Sequence, residues 1–199
     1  MADRDRTVWQ AGALLLCYPD RRLRELLPLL RDATAGIAPL ARFVATLGAT
    51  PLAALQSSYV DTFDFRKRCC LYLTWYSDGD TRRRGGSLAA LNRRYAAHGF
   101  AVAAGELPDF LPAVCEFAAH APEGVGRELL VEHRAGLALL RLALTDAGSP
   151  YADVLTALCD TLPGEQPADR AAALALARTG PPTETVGIDL PLQPYQRGT

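Results

Sequence analysis

The chain has 199 residues, 49% of them apolar and 22% charged, with 21 basic side chains against 22 acidic ones for a net charge of −1. That make-up belongs to an ordinary globular protein long enough to bury one sizeable core, and it excludes a disordered or collagen-like chain. The balanced charge also argues against a general affinity for nucleic acid, which needs a basic field to displace counterions from phosphate.

Apolar residues recur three and four apart through most of the chain and strict alternation is scarce, so the expected fold class is all-α. Val8, Ala11, Leu15 and Tyr18 mark a first helix stopped by Pro19, and Asp20 is placed to cap a second that carries Leu23, Leu26, Leu27 and Leu30 on one face. Pro39 and Pro51 punctuate short helices, and residues 52–65 continue the pattern with Leu55, Tyr59 and Phe63 four apart. Asp80 is expected to cap a helix whose face is Leu88, Leu91, Tyr95 and His98, closed by Gly99 in a left-handed cap with Phe100 as its apolar contact. A further helix is expected from Asp109, tolerating Pro112 in its first turn and burying Leu111, Val114 and Phe117 or Ala118. One long helix over residues 124–145 follows, striped by Val125, Leu129, His133, Leu137, Leu140 and Leu144. Helices over 151–162 and 168–179 complete a single bundle of roughly eight to ten helices, residues 1–179, and the Pro-rich residues 180–199 read as an extended tail.

Few features carry recognisable chemistry. His98, His120 and His133 are far apart, none in a metal-ligand spacing, and His133 on an apolar stripe reads as a hydrogen-bonded core histidine. The five cysteines are an odd number without a CxxC pair. Cys69 and Cys70, beside Leu71, Tyr72 and Leu73, read as packing residues, which suits a reducing cytoplasm. Neither a signal peptide nor a membrane span is expected near the N-terminus. Gly124, Val125, Gly126 is only half of a dinucleotide fingerprint, and no phosphate-binding loop or nucleophile elbow occurs, so an enzyme is not expected. Arg82, Arg83 and Arg84, however, open a helix where its dipole favours acids, so Asp61, Asp64, Glu106 or Asp109 is expected to pair with them. Such a local conflict often marks a site.

At these residues the sequence resembles a known family. The carrying stretches are residues 59–64, the Gly79-Asp80-Thr81-Arg82-Arg83-Arg84-Gly85 run, residues 91–99 with Tyr95 and His98, and Glu106-Leu107-Pro108-Asp109 followed by Leu111 and Pro112. Residues 14–20, ending in Tyr18-Pro19-Asp20, and 180–185 also match. They resemble the molybdenum-cofactor assembly chaperones of respiratory nitrate reductase, the NarJ-like branch of the TorD-like redox-enzyme maturation proteins. Phe110 stands where that family usually has histidine, so a proton-sensitive role at that position does not carry over.

The resemblance implies a cytoplasmic all-α chaperone, monomer or weak dimer. It would bind the N-terminal segment of the nitrate reductase catalytic (alpha) subunit and assist insertion of the molybdenum cofactor before membrane attachment, with no stably bound cofactor of its own. A helical bundle with an apolar groove suits an amphipathic segment, whose anchors lie three and four residues apart. The expected peptide-binding set is Tyr59, Phe63, Tyr76 and Phe110 as apolar lining, Asp61, Asp64, Glu106, Asp109 and Glu116 as acids that meet positive charge on the peptide, and with them Asp80 and Pro108. Arg83 and Arg84 either brace these acids or meet acidic groups of the partner. Each aromatic of the set has ordinary core packing as its alternative reading. Two other functions stay open: a cofactor- or nucleotide-handling maturation enzyme, for which Arg82–Arg84 are the phosphate candidates, and a regulatory nucleic-acid binder. Val186, Ile188, Leu190 and Leu192 alternate, and the tail could fold back to occupy the groove itself.

Overall fold

The computed structural model describes residues 2–179; the expected tail, and its return into a groove, lie outside them. Eleven α-helices follow one another among the described residues: α1 (Ala2–Leu15), α2 (Arg21–Thr34), α3 (Ala38–Ala49), α4 (Leu52–Phe63), α5 (Thr74–Asp78), α6 (Arg83–Ala97), α7 (Leu111–His120), α8 (Val125–Glu132), α9 (Arg134–Asp146), α10 (Tyr151–Asp160) and α11 (Arg170–Thr179). A 3-10 turn, Lys67–Cys69, lies between α4 and α5. The all-α expectation holds, with one more helix than the upper expected number.

α1 is the central element, packed against α7, α2 and α10. Its Val8, Ala11 and Leu15 are buried, as is Leu16 just after it, and Gly12 brings the chain close to Leu158 and Cys115. A methyl group at Gly12 would lie 3.0 Å from Leu158 Cδ2, so this glycine fixes how tightly α1 seats on α10. Asp20 caps α2 as its sequence suggests, its Oδ1 accepting from the Leu23 N–H at 2.8 Å. Gly99, at φ +78°, ends α6 in a Schellman motif: the Phe100 N–H donates to the Tyr95 carbonyl and the Gly99 N–H to that of Ala96.

Four expectations are corrected. Asp80 does not cap α6: the helix begins at Arg83, behind a turn in which the Arg84 N–H reaches the Thr81 carbonyl, and no side chain caps it. Asp109 does not open α7; that helix starts at Leu111, because the Asp109 carboxylate is engaged elsewhere. The single helix expected over 124–145 is two, α8 and α9, broken at His133 with φ −96° and ψ 11°. Gly126 admits the α7 backbone, where a Cβ would sit 2.4 Å from the Ala118 carbonyl oxygen, and Gly136 admits Tyr76 of α5. The break lets each half follow its own neighbour. Finally, the first helix ends at Leu15, and Tyr18 is half exposed beyond it rather than on its face.

Candidate functional site

The segment that links α6 to α7 builds a cleft. After the Schellman turn at Gly99 the chain runs outward, turns again at Gly105 with φ +90°, and returns to start α7. Its return leg is tied down at three points. Tyr72 and Phe110 form an isolated antiparallel bridge, in which the Leu73 N–H donates to the Asp109 carbonyl at 2.9 Å and the Leu111 N–H to the Leu71 carbonyl at 2.8 Å. Tyr95 Oη donates to the Pro108 carbonyl at 2.7 Å. Asp109, wholly buried, accepts from the Thr74 hydroxyl at 2.5 Å, from the Thr74 N–H at 3.2 Å and from Arg84 Nη2 at 3.4 Å.

Between this segment, α7 and the end of α1 opens a space of about 390 Å³, a size typical of ligand sites. Its base is aromatic: Phe117 packs against Tyr95 and Phe100 with ring centroids 4.7 and 5.2 Å apart. Val102, Phe110 and Pro112 add apolar wall, and Ala13, Ala101, Ala103 and Ala113 keep it open by being small. The polar lining is Glu106, Glu116, His120 and Cys17. Glu106 is held by the Tyr72 hydroxyl at 3.2 Å and by the Leu107 N–H at 2.9 Å, whereas Glu116 is exposed on α7. Cys17 responds first to burial and then to these acids. Desolvation among the packed atoms beneath the cleft mouth, and then Glu116, Asp20 and Glu106, push its thiol up to about 11. The cleft is therefore apolar within and electronegative at its mouth.

The expected site residues divide among several places. Glu106, Phe110 and Glu116 line the cleft. Pro108, Asp109 and Arg84 stand behind it as support: Arg84 also donates from Nε to Thr74 Oγ1 at 3.0 Å and lies over the Tyr72 ring, so it braces an acid, the first of the two roles expected for it. Arg82 and Arg83, the other two of the run, are exposed. Asp109, buried beneath the segment, is not placed to meet a peptide's charge. Tyr59 and Phe63 belong to an aromatic cluster with Phe43 and Tyr151, and Tyr59 Oη donates to the Leu16 carbonyl. Asp61 and Asp64 are exposed near the end of α4 and Asp80 and Arg83 near the start of α6; none of these lines the cleft. Tyr76 faces a different groove and donates to the Arg68 and Cys70 carbonyls.

Sequence reasoning missed Cys17, Phe100, Val102, Phe117 and His120 as lining residues. One available signal was the run Ala101-Val102-Ala103-Ala104, apolar and small, directly after the helix-ending pair Gly99-Phe100. His133 is half-buried at the α8–α9 break, and burial holds its pKa below the ordinary histidine value. Among the described residues no group of three or more metal-binding side chains occurs, and no helix is long and apolar enough to cross a membrane.

The described residues thus form an all-helical bundle with an apolar, acid-rimmed cleft on an inter-helix segment. Residues 27–157 match the family model of the nitrate reductase delta subunit, and the chain belongs to that family. It is 33% identical over 165 residues to the probable nitrate reductase molybdenum cofactor assembly chaperone NarJ of Bacillus subtilis, covering 79% of this chain and 90% of that one. It is 44% identical over 159 residues to the nitrate reductase-like protein NarX of Mycobacterium tuberculosis, 77% of this chain but only 24% of NarX, so it spans about a quarter of that relative. A third relative, the molybdenum cofactor assembly chaperone NarJ of Escherichia coli K12, is 34% identical over 109 residues, 53% of this chain and 46% of the relative. The resemblance drawn from the motifs is thus established at family level, and two of these three relatives carry the names of assembly chaperones rather than catalysts.

Proposed function

We propose that this protein is an assembly chaperone for nitrate reductase. It holds the N-terminal segment of the catalytic subunit in the cleft between α1, the α6–α7 segment and α7, and keeps the subunit receptive while the molybdenum cofactor is inserted. The cofactor is cargo of the client and is not resident in this chain. The observation that carries the reading is the pairing of an aromatic-floored cleft with Glu106 and Glu116 at its mouth. An amphipathic helical segment places apolar anchors into Phe100, Val102, Phe110 and Phe117, and presents basic residues to the two carboxylates. Burial of the anchors supplies most of the affinity, at about 25 cal/mol per Å² of apolar surface removed from water, while the acids select the partner and its orientation.

The rigid backing gives the cleft its shape before the client arrives. Asp109, Thr74, Arg84 and the Tyr95–Pro108 bond hold the return leg in place, so the segment does not need to be ordered at the moment of binding. Release follows when the folding client withdraws the segment. Asp61, Asp64, Asp80 and Arg83 act, in this reading, outside the cleft on later residues of the client. Amide hydrogen exchange with and without a synthetic client segment tests the assignment. Slowed exchange over 99–120 and at the end of α1 is the expected result; protection confined to α9 and α11 would place the client elsewhere.

A further inference from the structure

A second groove lies among the 3-10 turn, α5, α9 and α11, with a volume of about 350 Å³ and no residue in common with the α1–α7 cleft. Trp75, Tyr76, Leu139 and Leu142 give it an apolar surface, and Leu174 of α11, 39% exposed, stands at its edge. Its charge is opposite to that of the first: Lys67, Arg68 and Arg170 line it against one acid, Asp146. Phe65, 76% exposed, and Arg66, also exposed, lie just before the same turn.

We infer that this groove receives the chain's own residues 184–192, and that the α1–α7 cleft is thereby left to the client. This sequence places Val186, Ile188, Leu190 and Leu192 at a spacing of two, which puts them on one side of an extended segment, with Glu184 and Asp189 as its acids. Those acids favour a groove lined by Lys67, Arg68 and Arg170 and disfavour one whose mouth carries Glu106 and Glu116. Distance agrees. Thr179 lies about 8 Å along the α11 axis beyond Leu174, and residues 180–185 span up to about 20 Å when extended, with Gly180-Pro181-Pro182 suited to the reversal. The segment therefore returns to the groove that its own preceding helix walls.

Trp75 provides the readout, because the chain's other tryptophan, Trp9, is buried in the core with its indole N–H on Thr161. In the full-length chain, Ile188→Ser with Leu190→Ser should red-shift Trp75 emission and raise its quenching by acrylamide, and a synthetic 182–194 peptide added in trans should reverse both. Trp75→Phe should abolish the signal, and Lys67→Glu with Arg68→Glu should reproduce the exposure with the tail intact. Unchanged Trp75 emission and quenching in the tail variant would overturn the inference. Shielding of Trp75 that disappears on dilution would assign the groove to a second copy's tail, and tighter client binding by the tail variant without any change at Trp75 would place the tail in the α1–α7 cleft; both also overturn it. The client reading of that first cleft is measured separately, by client binding to the same variants, and stands or falls without Trp75.

Discussion

Replacing Asp109 with alanine removes the acceptor of the Thr74 N–H and hydroxyl and leaves the Arg84 guanidinium, itself a quarter exposed, without its carboxylate. A fully buried acid in such a network supports the fold, and its loss should cost about 3 kcal/mol in denaturant unfolding. Glu116→Gln, by contrast, should alter stability by less than about 0.5 kcal/mol and show its effect in client affinity and salt dependence. If Asp109→Ala weakens binding at unchanged stability, the two roles are wrongly divided. Cys17 offers a chemical check on its surroundings: desolvation first, and then Glu116, Asp20 and Glu106, raise the thiol from 9.0 to about 11, which leaves about a hundredfold less thiolate at neutral pH, so alkylation by iodoacetamide should be slow although the residue is exposed. Glu106→Gln with Glu116→Gln should speed it. His133 contributes a pH dependence of known sign. Burial lowers its pKa, partly opposed by Glu132, Asp109 and Asp78 and reinforced by Arg94, so below the ordinary value of 6.5 the unfolded chain takes up the proton first. Stability should therefore fall as pH drops through that value toward the lower folded one, and His133→Gln should flatten the fall.

At the scale of elements, two glycines separate packing from propensity. Gly126→Ala would drive a methyl group against the Ala118 carbonyl, 2.4 Å away, and should destabilise by about 3 kcal/mol as α8 is pushed off α7. Gly86→Ala, inside α6 with open space around it, should stabilise by about 0.5–1 kcal/mol by removing backbone freedom from the unfolded chain. Thermal melts of the two variants should move in opposite directions. The helices whose ends are chemically marked were legible in the sequence: Asp20 caps α2 and Gly99 closes α6 because each signal acts within a few residues. The break at His133 was not, since the stripe from Val125 to Leu144 continues across it and the cause lies in α7 and α5, far away in sequence. The short helix α5 was missed for a related reason, its position being set by the bridge between Tyr72 and Phe110.

For the whole molecule, the motif stretches pointed to the right region but not to one surface. Glu106 and Phe110 are close in sequence to Asp109 and Pro108, yet the first pair faces the cleft and the second pair holds it up. Tyr59 and Phe63, four apart on α4, became an aromatic cluster of the core, because a helix repeat tells which residues share a face and not what covers it. A near-zero net charge likewise hid two grooves of opposite sign, one lined by Glu106 and Glu116 and the other by Lys67, Arg68 and Arg170. The measurement that tests the account most directly is calorimetric titration of the full chain with a synthetic peptide of the first ~15 residues of the cognate catalytic subunit, about four helical turns. The account predicts saturable binding that is lost when the peptide's apolar anchors are made polar, weakened by Phe110→Ser, and made less sensitive to salt by Glu106→Gln with Glu116→Gln. Absence of binding, or binding indifferent to all of these cleft substitutions, would contradict it.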